Sequence, residues 1–348
     1  MDDIIYFSAS DAVERKFEEH LSEIGTVDFM GQVFFFLGIE FQWTHHEDGH
    51  LTVHLMQQSF AENLIESLGF DDLSTSMFIT PYRSGLSIDS VIHESMPTTE
   101  RDALCLAYQS IVGRLNWLVH TTRPDLATVV SLLAQHQSNP SMGHMEAARY
   151  ATKLAHTKTL DIYFTSMKRA KLESFLHFPL PSNKLLPMLE ADWDPQDASQ
   201  SQTTVELPLF ASRSMSAFYI DLLGPIHWLS KRQLVTAGSS AEAEIYATDE
   251  CVKFLLELTQ ILEFLEVKHL FMPDTTMIYN DNKACVQWSK CNTTKGLHHI
   301  QMKENRVREN ILSKFVSISH VEGKVNLADI FTKEMKEHRT SLHYEIYS

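Results

Sequence analysis

The sequence predicts an α/β protein whose C-terminal half is a mixed β-sheet with flanking helices, preceded by a smaller α/β piece and a helical stretch. Three observations carry this. From about residue 181, strand candidates come first and then alternate with helices, the order that builds a mixed sheet with helices packed against it. Ser239 and Glu242 form an S-x-x-E capping box at the head of the longest helix candidate, Ser239–Leu265. Near the N-terminus, "VFFFLGIEFQWTHHEDGHLTVHL" reads as a hairpin. Its turn is Glu47-Asp48-Gly49, and Leu51, Val53 and Leu55 alternate after it.

The other elements follow in chain order. Ile4–Ser8 is a strand candidate, and Ala12–Ile24 places Val13, Phe17 and Leu21 on one helical face. Phe34-Phe35-Phe36 reads as a buried strand rather than a stacking platform. Gln58–Gly69 is a helix stopped by its glycine. Thr80–Pro97 has turn formers and no period, as a linker does. Residues 100–157 are helical: Arg123-Pro124-Asp125 opens one helix with proline in the first turn, where its missing N–H costs nothing, and Asn139-Pro140 closes it. "LLPMLEADWD" is a strand candidate ending in acids. Phe218–Leu223, Pro225–Leu229 and Met277–Tyr279 are further strands, the last running into Asn280-Asp281-Asn282. His299–Leu312 is a helix, Phe315–Val321 a strand, and Asn326–Lys333 starts a final helix.

Composition narrows the function classes. The 348 residues are 44% hydrophobic and 21% charged, ordinary for two or three globular domains. No apolar run approaches the ~20 residues of a membrane helix, so no membrane partner is expected. The acidic start predicts neither a secretory signal nor a transit peptide. Cys105, Cys251, Cys285 and Cys291 form no C-x-x-C pair, which suits a reducing, intracellular compartment, cytoplasmic or nuclear. The net charge of −16 opposes a broad phosphate-binding surface. Any nucleic-acid role then needs local basic patches or divalent ions held by carboxylates. His45, His46, His50 and His54 flank the hairpin turn without a completing ligand set, and read as solvated.

Four acids fall at informative places. Glu190 and Asp192 are two apart on a strand and so share a face. Glu244 lies in the first turns of the long helix. Asp281 ends a strand, where α/β active sites gather, and Asp329 starts the last helix. If their elements pack round one sheet, Glu190, Glu244, Asp281 and Asp329 can converge. Such a cluster would need divalent cations to remain ionised, and hard oxygen ligands suit two Mg2+ or Mn2+ ions. In a chain with 45 acidic residues the competing reading is four separate surface acids.

Longer motifs weigh on that choice. "YQSIVGRLNWLVHTTRPDLATVVSLLAQHQSNPSMGHMEAA" (108–148), "IHWLSKRQLVTAGSSAEAEIYA" (226–247), "YNDNKACVQWSK" (279–290) and "VNLADIFTK" (325–333) resemble, in order, the Pol polyprotein of copia-type LTR retrotransposons. "FFFLGIEFQ" and "TPYRSG" resemble the segments after that family's polymerase site. The resemblance implies that residues 1–80 are the end of a reverse-transcriptase palm with a thumb-like piece, 81–180 a linker and helical connection, 181–334 a ribonuclease H-like domain, and 335–348 a tail. It makes "MDDIIYFS" the second half of the Tyr-x-Asp-Asp hairpin, with Asp2 and Asp3 as vestigial polymerase aspartates. No polymerase activity is then expected of this chain alone, and an upstream reverse-transcriptase segment becomes a candidate partner.

The resemblance maps the nuclease carboxylates onto Glu190, Glu244, Asp281 and Asp329, with Asp192 as an additional metal ligand, and an RNA–DNA hybrid as substrate. His299 matches the family's Lys-His-Ile; Lys231, Arg232 and Arg306 would contact the hybrid backbone. One departure matters. The family's Asp-Ala-Asp-Trp reads Glu190-Ala191-Asp192-Trp193 here, and one extra methylene can move a ligand by about 1 Å, worth ~10²-fold in rate. A weakened nuclease is therefore expected. A catalytically dead relic that only binds nucleic acid or a protein is the alternative. Two expectations concern folding: 181–334 forms one unit, and the hairpin of 1–80 exposes an unpaired edge.

Overall fold

A computed structural model of the chain describes residues 4–6, 10–47, 49, 51–69, 97–157, 162–165, 186–192, 213–272, 274–290 and 301–332. The described residues form a mixed α/β fold with two sheets. Helix α1 (Asp11–Ile24) is amphipathic but buries no residue; Tyr6 reaches it by donating to Glu18 Oε1 at 2.6 Å. Strands β1 (Phe35–Phe36), β2 (Ile39–His45), β3 (Leu51–Met56) and β4 (Ile162–Thr165) form an antiparallel sheet in that order. The tight turn from β1 to β2 uses Gly38 at φ +80°, a conformation glycine takes without steric cost. Trp43 Nε1 donates to Val33 O at 2.6 Å and pins the approach to the hairpin. Helix α2 (Gln58–Ser67) buries Ala61, Leu64 and Ile65. Its N-terminus is capped across the fold, Ser59 N donating to Glu40 Oε1 at 3.1 Å.

The helical stretch holds α3 (Thr98–Thr121), a 3-10 turn Pro124–Leu126, α4 (Ala127–Ala134) and α5 (Met142–Thr157). Along α3, Tyr108, Ile111, Val112, Leu115, Leu118 and Val119 recur at helical spacing and are buried. Tyr108 satisfies its buried hydroxyl by donating to Leu133 O at 2.7 Å. The corner after α3 is locked by a buried ion pair. Arg123 donates through Nε to Asp125 Oδ1 at 2.8 Å and through Nη2 to Asp125 Oδ2 at 2.6 Å, while Nη1 reaches Ala155 O at 2.6 Å on α5. Removing one partner of such a pair costs about 3–5 kcal/mol, because it strands the other charge.

The second sheet contains β5 (Leu186–Asp192), β6 (Met215–Asp221), β7 (Pro225–Arg232), β8 (Thr276–Asn280) and β9 (Val316–His320) in the order β7-β6-β5-β8-β9. Its β7-β6-β5 half is antiparallel and its β5-β8-β9 half parallel. Helices α6 (Ser240–Phe264), α7 (Lys268–Phe271), α8 (Lys283–Lys290) and α9 (Gln301–Leu312) complete it, with 3-10 turns at Gly323–Val325 and Leu327–Phe331. Strand β6 is buried along its whole length, and its alternation separates two cores. Phe218 and Ile220 pack with α6, whereas Ala217 and Tyr219 pack with α3, α4, α5 and Phe331. Polar contacts seal the second core: Trp228 Nε1 to Val119 O at 2.7 Å, Thr128 Oγ1 to Ile330 O at 2.9 Å, and Ser230 Oγ to Phe331 O at 2.6 Å.

Several expectations change. The edge of the hairpin is not left unpaired, since β4 adds to β3. One face of the C-terminal sheet is covered by helices from 98–157, so only the core on its other face lies wholly within 181–334. Phe34 and Phe35 are each 63% exposed rather than buried, because none of the described residues covers that side of the short β1. Ile4–Tyr6 form no strand. Helix α4 ends at Ala134, before Asn139, and the segment after Asn326 is a 3-10 turn. The linker from Thr80 lies outside the described residues except for Pro97, as do Trp193, His50 and Cys291. Among the described residues no helix is long and apolar enough to cross a membrane, and Cys105, Cys251 and Cys285 are free thiols.

Candidate active site

The site lies at the C-terminal ends of the parallel strands β5 and β8. Their register pairs Leu189 with Asn280, so the next residues along are Glu190 and Asp281. The side chains of Glu190 and Asp192 lie outside the described residues. Helix α6 packs against β5 and β6, and the Leu327–Phe331 turn packs against the same two strands. These contacts bring the backbone of all four sequence-predicted acids to one sheet.

The start of α6 decides which of its two early glutamates faces the strands. Ser239 Oγ accepts from Glu242 N at 3.2 Å, as the capping box predicts. Glu242 reaches back one residue further than a reciprocal box requires. Its Oε2 accepts from Gly238 N at 2.8 Å, and its Oε1 takes the Tyr246 hydroxyl at 2.8 Å. Glu242 is thus engaged in holding the helix start. Glu244, 2% exposed, accepts at Oε2 from Asn280 Nδ2 at 2.7 Å. Its charge is felt by Cys285, whose thiol is pushed up to about 12 by burial first and by Glu244 second. That thiol is therefore protonated and unreactive at neutral pH.

Asp281 follows Asn280 and is half-buried. A β-carbon on Gly323 would stand 2.8 Å from Asp281 Oδ2, so the carboxylate occupies a space that only glycine leaves open. Asn282 continues the turn: its N–H donates to Asn280 Oδ1 at 2.7 Å, and its Oδ1 caps α8 by accepting from Ala284 N and Cys285 N at 3.0 and 3.1 Å. Asp329, 3% exposed, sits in the turn capped by Asn326, whose Oδ1 accepts from Ala328 N at 3.2 Å. Among the described side chains, no group of three or more His, Cys, Asp or Glu residues is gathered closely enough to hold a metal ion. The chemistry of the donors nevertheless suits a hard divalent cation. They are carboxylates, two of them almost fully buried, and Asp281 lies in a cradle that a β-carbon would fill.

The basic candidates separate. Lys231 is exposed on β7 and Arg232 partly so. Arg306 is partly exposed, its Nη1 3.5 Å from Asp249 Oδ1, and Lys253 Nζ lies 2.8 Å from Asp249 Oδ2. Asp249, a fully buried acid of α6, was not singled out by the sequence; an i, i+4 Asp–Lys pair was its only local signal. Lys303 Nζ stands 4.1 Å from the centroid of the Tyr246 ring, and Arg308 4.8 Å from that of Trp288. Burial lowers the Lys303 pKa; Asp249 and Glu250 pull it up, and the neighbouring Lys253 and Lys231 push it down. His299, Asp2 and Asp3 lie outside the described residues. Asn280 and Gly323 were missed in the sequence, because each acts through a residue distant in the chain.

No family model matches the chain. It is 23% identical over 296 residues to the retrovirus-related Pol polyprotein from transposon TNT 1-94 of Nicotiana tabacum, covering 84% of this chain and 20% of that protein. To the transposon Ty1-JR2 Gag-Pol polyprotein of Saccharomyces cerevisiae it is 23% identical over 230 residues, 65% of this chain and 12% of that one. The secreted RxLR effector protein 161 of Plasmopara viticola is 31% identical over 154 residues, 44% of this chain and 91% of that protein. The chain spans a fifth or less of the length of these transposon polyproteins. Among solved structures, ribonuclease H1 of Halobacterium salinarum NRC-1 aligns at 12% identity and a TM-score of 0.30, covering 43% of this chain and 94% of that one.

Proposed function

We propose, from its similarity to retrotransposon Pol polyproteins, that the chain is a copia-type reverse transcriptase/ribonuclease H fragment that hydrolyses the RNA strand of RNA–DNA hybrids. One observation carries the reading. In a β7-β6-β5-β8-β9 sheet, Asn280 at the end of β8 bonds Glu244 and is followed by Asp281, and β8 lies beside the strand that carries Glu190. This arrangement supports a ribonuclease H-like domain within 181–334. An intracellular setting is part of the proposal.

Glu190, Glu244, Asp281 and Asp329, with Asp192 as a further candidate, would hold two Mg2+ or Mn2+ ions. When bound, such ions activate a water and stabilise the leaving oxygen in phosphodiester cleavage, giving 3′-hydroxyl and 5′-phosphate ends. The protein's own groups do the rest. Asn280 orients Glu244, and Gly323 leaves room for Asp281. Lys231, Arg232, Lys303 and Arg306 would neutralise backbone phosphates, and A-form shape with its 2′-hydroxyls would select the RNA strand. The upstream reverse-transcriptase segment is the proposed partner of the N-terminal part, where Met30 is 90% exposed and Phe34 and Phe35 are 63% exposed.

The second reading, a relic that binds without cutting, is favoured by Glu190 standing where the family has aspartate. Cleavage of an end-labelled hybrid with each metal separates the two. The nuclease reading expects slow, metal-dependent cuts in Mg2+, faster cuts in Mn2+, and a higher Mg2+ rate for Glu190→Asp. Binding without products in either metal would establish the relic. An unchanged or lower Mg2+ rate in Glu190→Asp would show that Glu190 is not a compromised first ligand.

A further inference from the structure

We infer that Asn280 is a positioning residue that fixes the Glu244 carboxylate at the end of β8, the strand that leads into Asp281 (Nδ2 to Oε2, 2.7 Å), an inference that rests on the nuclease reading above. Asparagine is depleted in strands, and Asn280 is 0% exposed at the last position of β8. Burying its amide is costly unless both ends are bonded. Both are. The Asn282 N–H must meet an oxygen, and it meets Oδ1 at 2.7 Å; this fixes which way the amide points and leaves Nδ2 as the atom facing Glu244. The amide thereby links two structures that local sequence does not join: the second turn of α6, and the turn from β8 into α8 that carries Asp281. A hydrogen bond from a neutral donor to a buried carboxylate is stronger than one between neutral groups. It also orients one glutamate oxygen, and a side chain with three rotatable bonds otherwise loses more freedom when it must hold a ligand position.

A plainer role is that Asn280 only completes the turn before α8, through Asn282. The two roles differ in one measurable way. A turn residue changes stability alone; a positioning residue changes how readily the carboxylates take a divalent ion. The experiment follows the rise in melting temperature of the full chain as Mg2+ is titrated, for wild type and Asn280→Ala. We expect the Mg2+ concentration at which the melting temperature begins to rise to increase about tenfold or more in Asn280→Ala, the scale set by losing a bond to a charged group. An unchanged onset, even with a lower melting temperature, overturns the inference and leaves the nuclease reading standing. A wild-type melting temperature that ignores Mg2+ overturns the nuclease reading and this role with it. Should Asn280→Ala fail to fold, Asn280→Asp decides. It keeps the acceptor for Asn282 N but sets a second carboxylate against Glu244. Adding Glu244→Gln should restore its melting temperature without Mg2+, by remaking the bond with donor and acceptor exchanged. No recovery in the double variant would overturn the contact on which the inference stands.

Discussion

Asp281 and Gly323 are fitted to each other: the Oδ2 atom of the acid lies 2.8 Å from where a β-carbon on the glycine would be. The glycine is needed for space. Because the crowded atom is the end of a flexible side chain, Gly323→Ala should let the carboxylate swing aside at little cost. Stability is expected to change by less than about 1 kcal/mol. Hybrid cleavage is expected to fall by up to ~10²-fold, the cost of misplacing a reacting group by about 1 Å. Parallel chemical denaturation and cleavage assays check this; a variant that cuts at the wild-type rate would show that the position of Asp281 is not critical.

The C-terminal sheet depends on the helices before it. Tyr219, Trp228 and Phe331 face α3, α4 and α5, and Trp228 donates to Val119 O at 2.7 Å. A fragment of residues 181–334 alone would expose that face. It is expected to bind a hydrophobic dye and to melt without a cooperative transition, retaining secondary structure but not fixed packing. A fragment that melts cooperatively at the temperature of the full chain would show that the shared core is dispensable.

His227 makes stability depend on pH. Its ring stacks on Phe254 at 4.0 Å and lies 5.4 Å from Phe218. Burial, and secondarily His120, push its pKa from 6.5 down to about 4. The unfolded chain therefore binds a proton between those values that the folded chain refuses. The contribution is intact above pH 6.5 and is lost as pH falls toward 4. Allowing for the partial exposure of the ring, His227 should account for about 2 kcal/mol of the loss between pH 7 and 4.5. The difference between wild type and His227→Leu in urea midpoints across that range isolates the effect; identical slopes would contradict it.

Much of this architecture was legible in the chain. The Ser239/Glu242 signal marked the start of α6, and alternation marked the hairpin, because both are local. What was hidden is tertiary. The run Phe34-Phe35-Phe36 states that a strand is favoured, not that a layer covers it. Nothing local says that β4, more than a hundred residues later, pairs with β3. At the site, strand ends and an early helix turn pointed to Glu244 and Asp281. Asn280, Gly323 and Asp249 were invisible because their roles exist only once α6, β8, α9 and the turn after β9 are packed.

The central claim is that Asp281 belongs to a hydrolytic carboxylate site acting on hybrids. The most direct test is the rate at which the full chain cuts the RNA strand of a labelled RNA–DNA hybrid in Mn2+, compared with Asp281→Asn, a change that keeps size and removes charge. We predict fragments with 5′-phosphate ends from the wild type, and a rate at background for Asp281→Asn in a protein that still melts cooperatively. Equal rates in the two proteins would contradict the account.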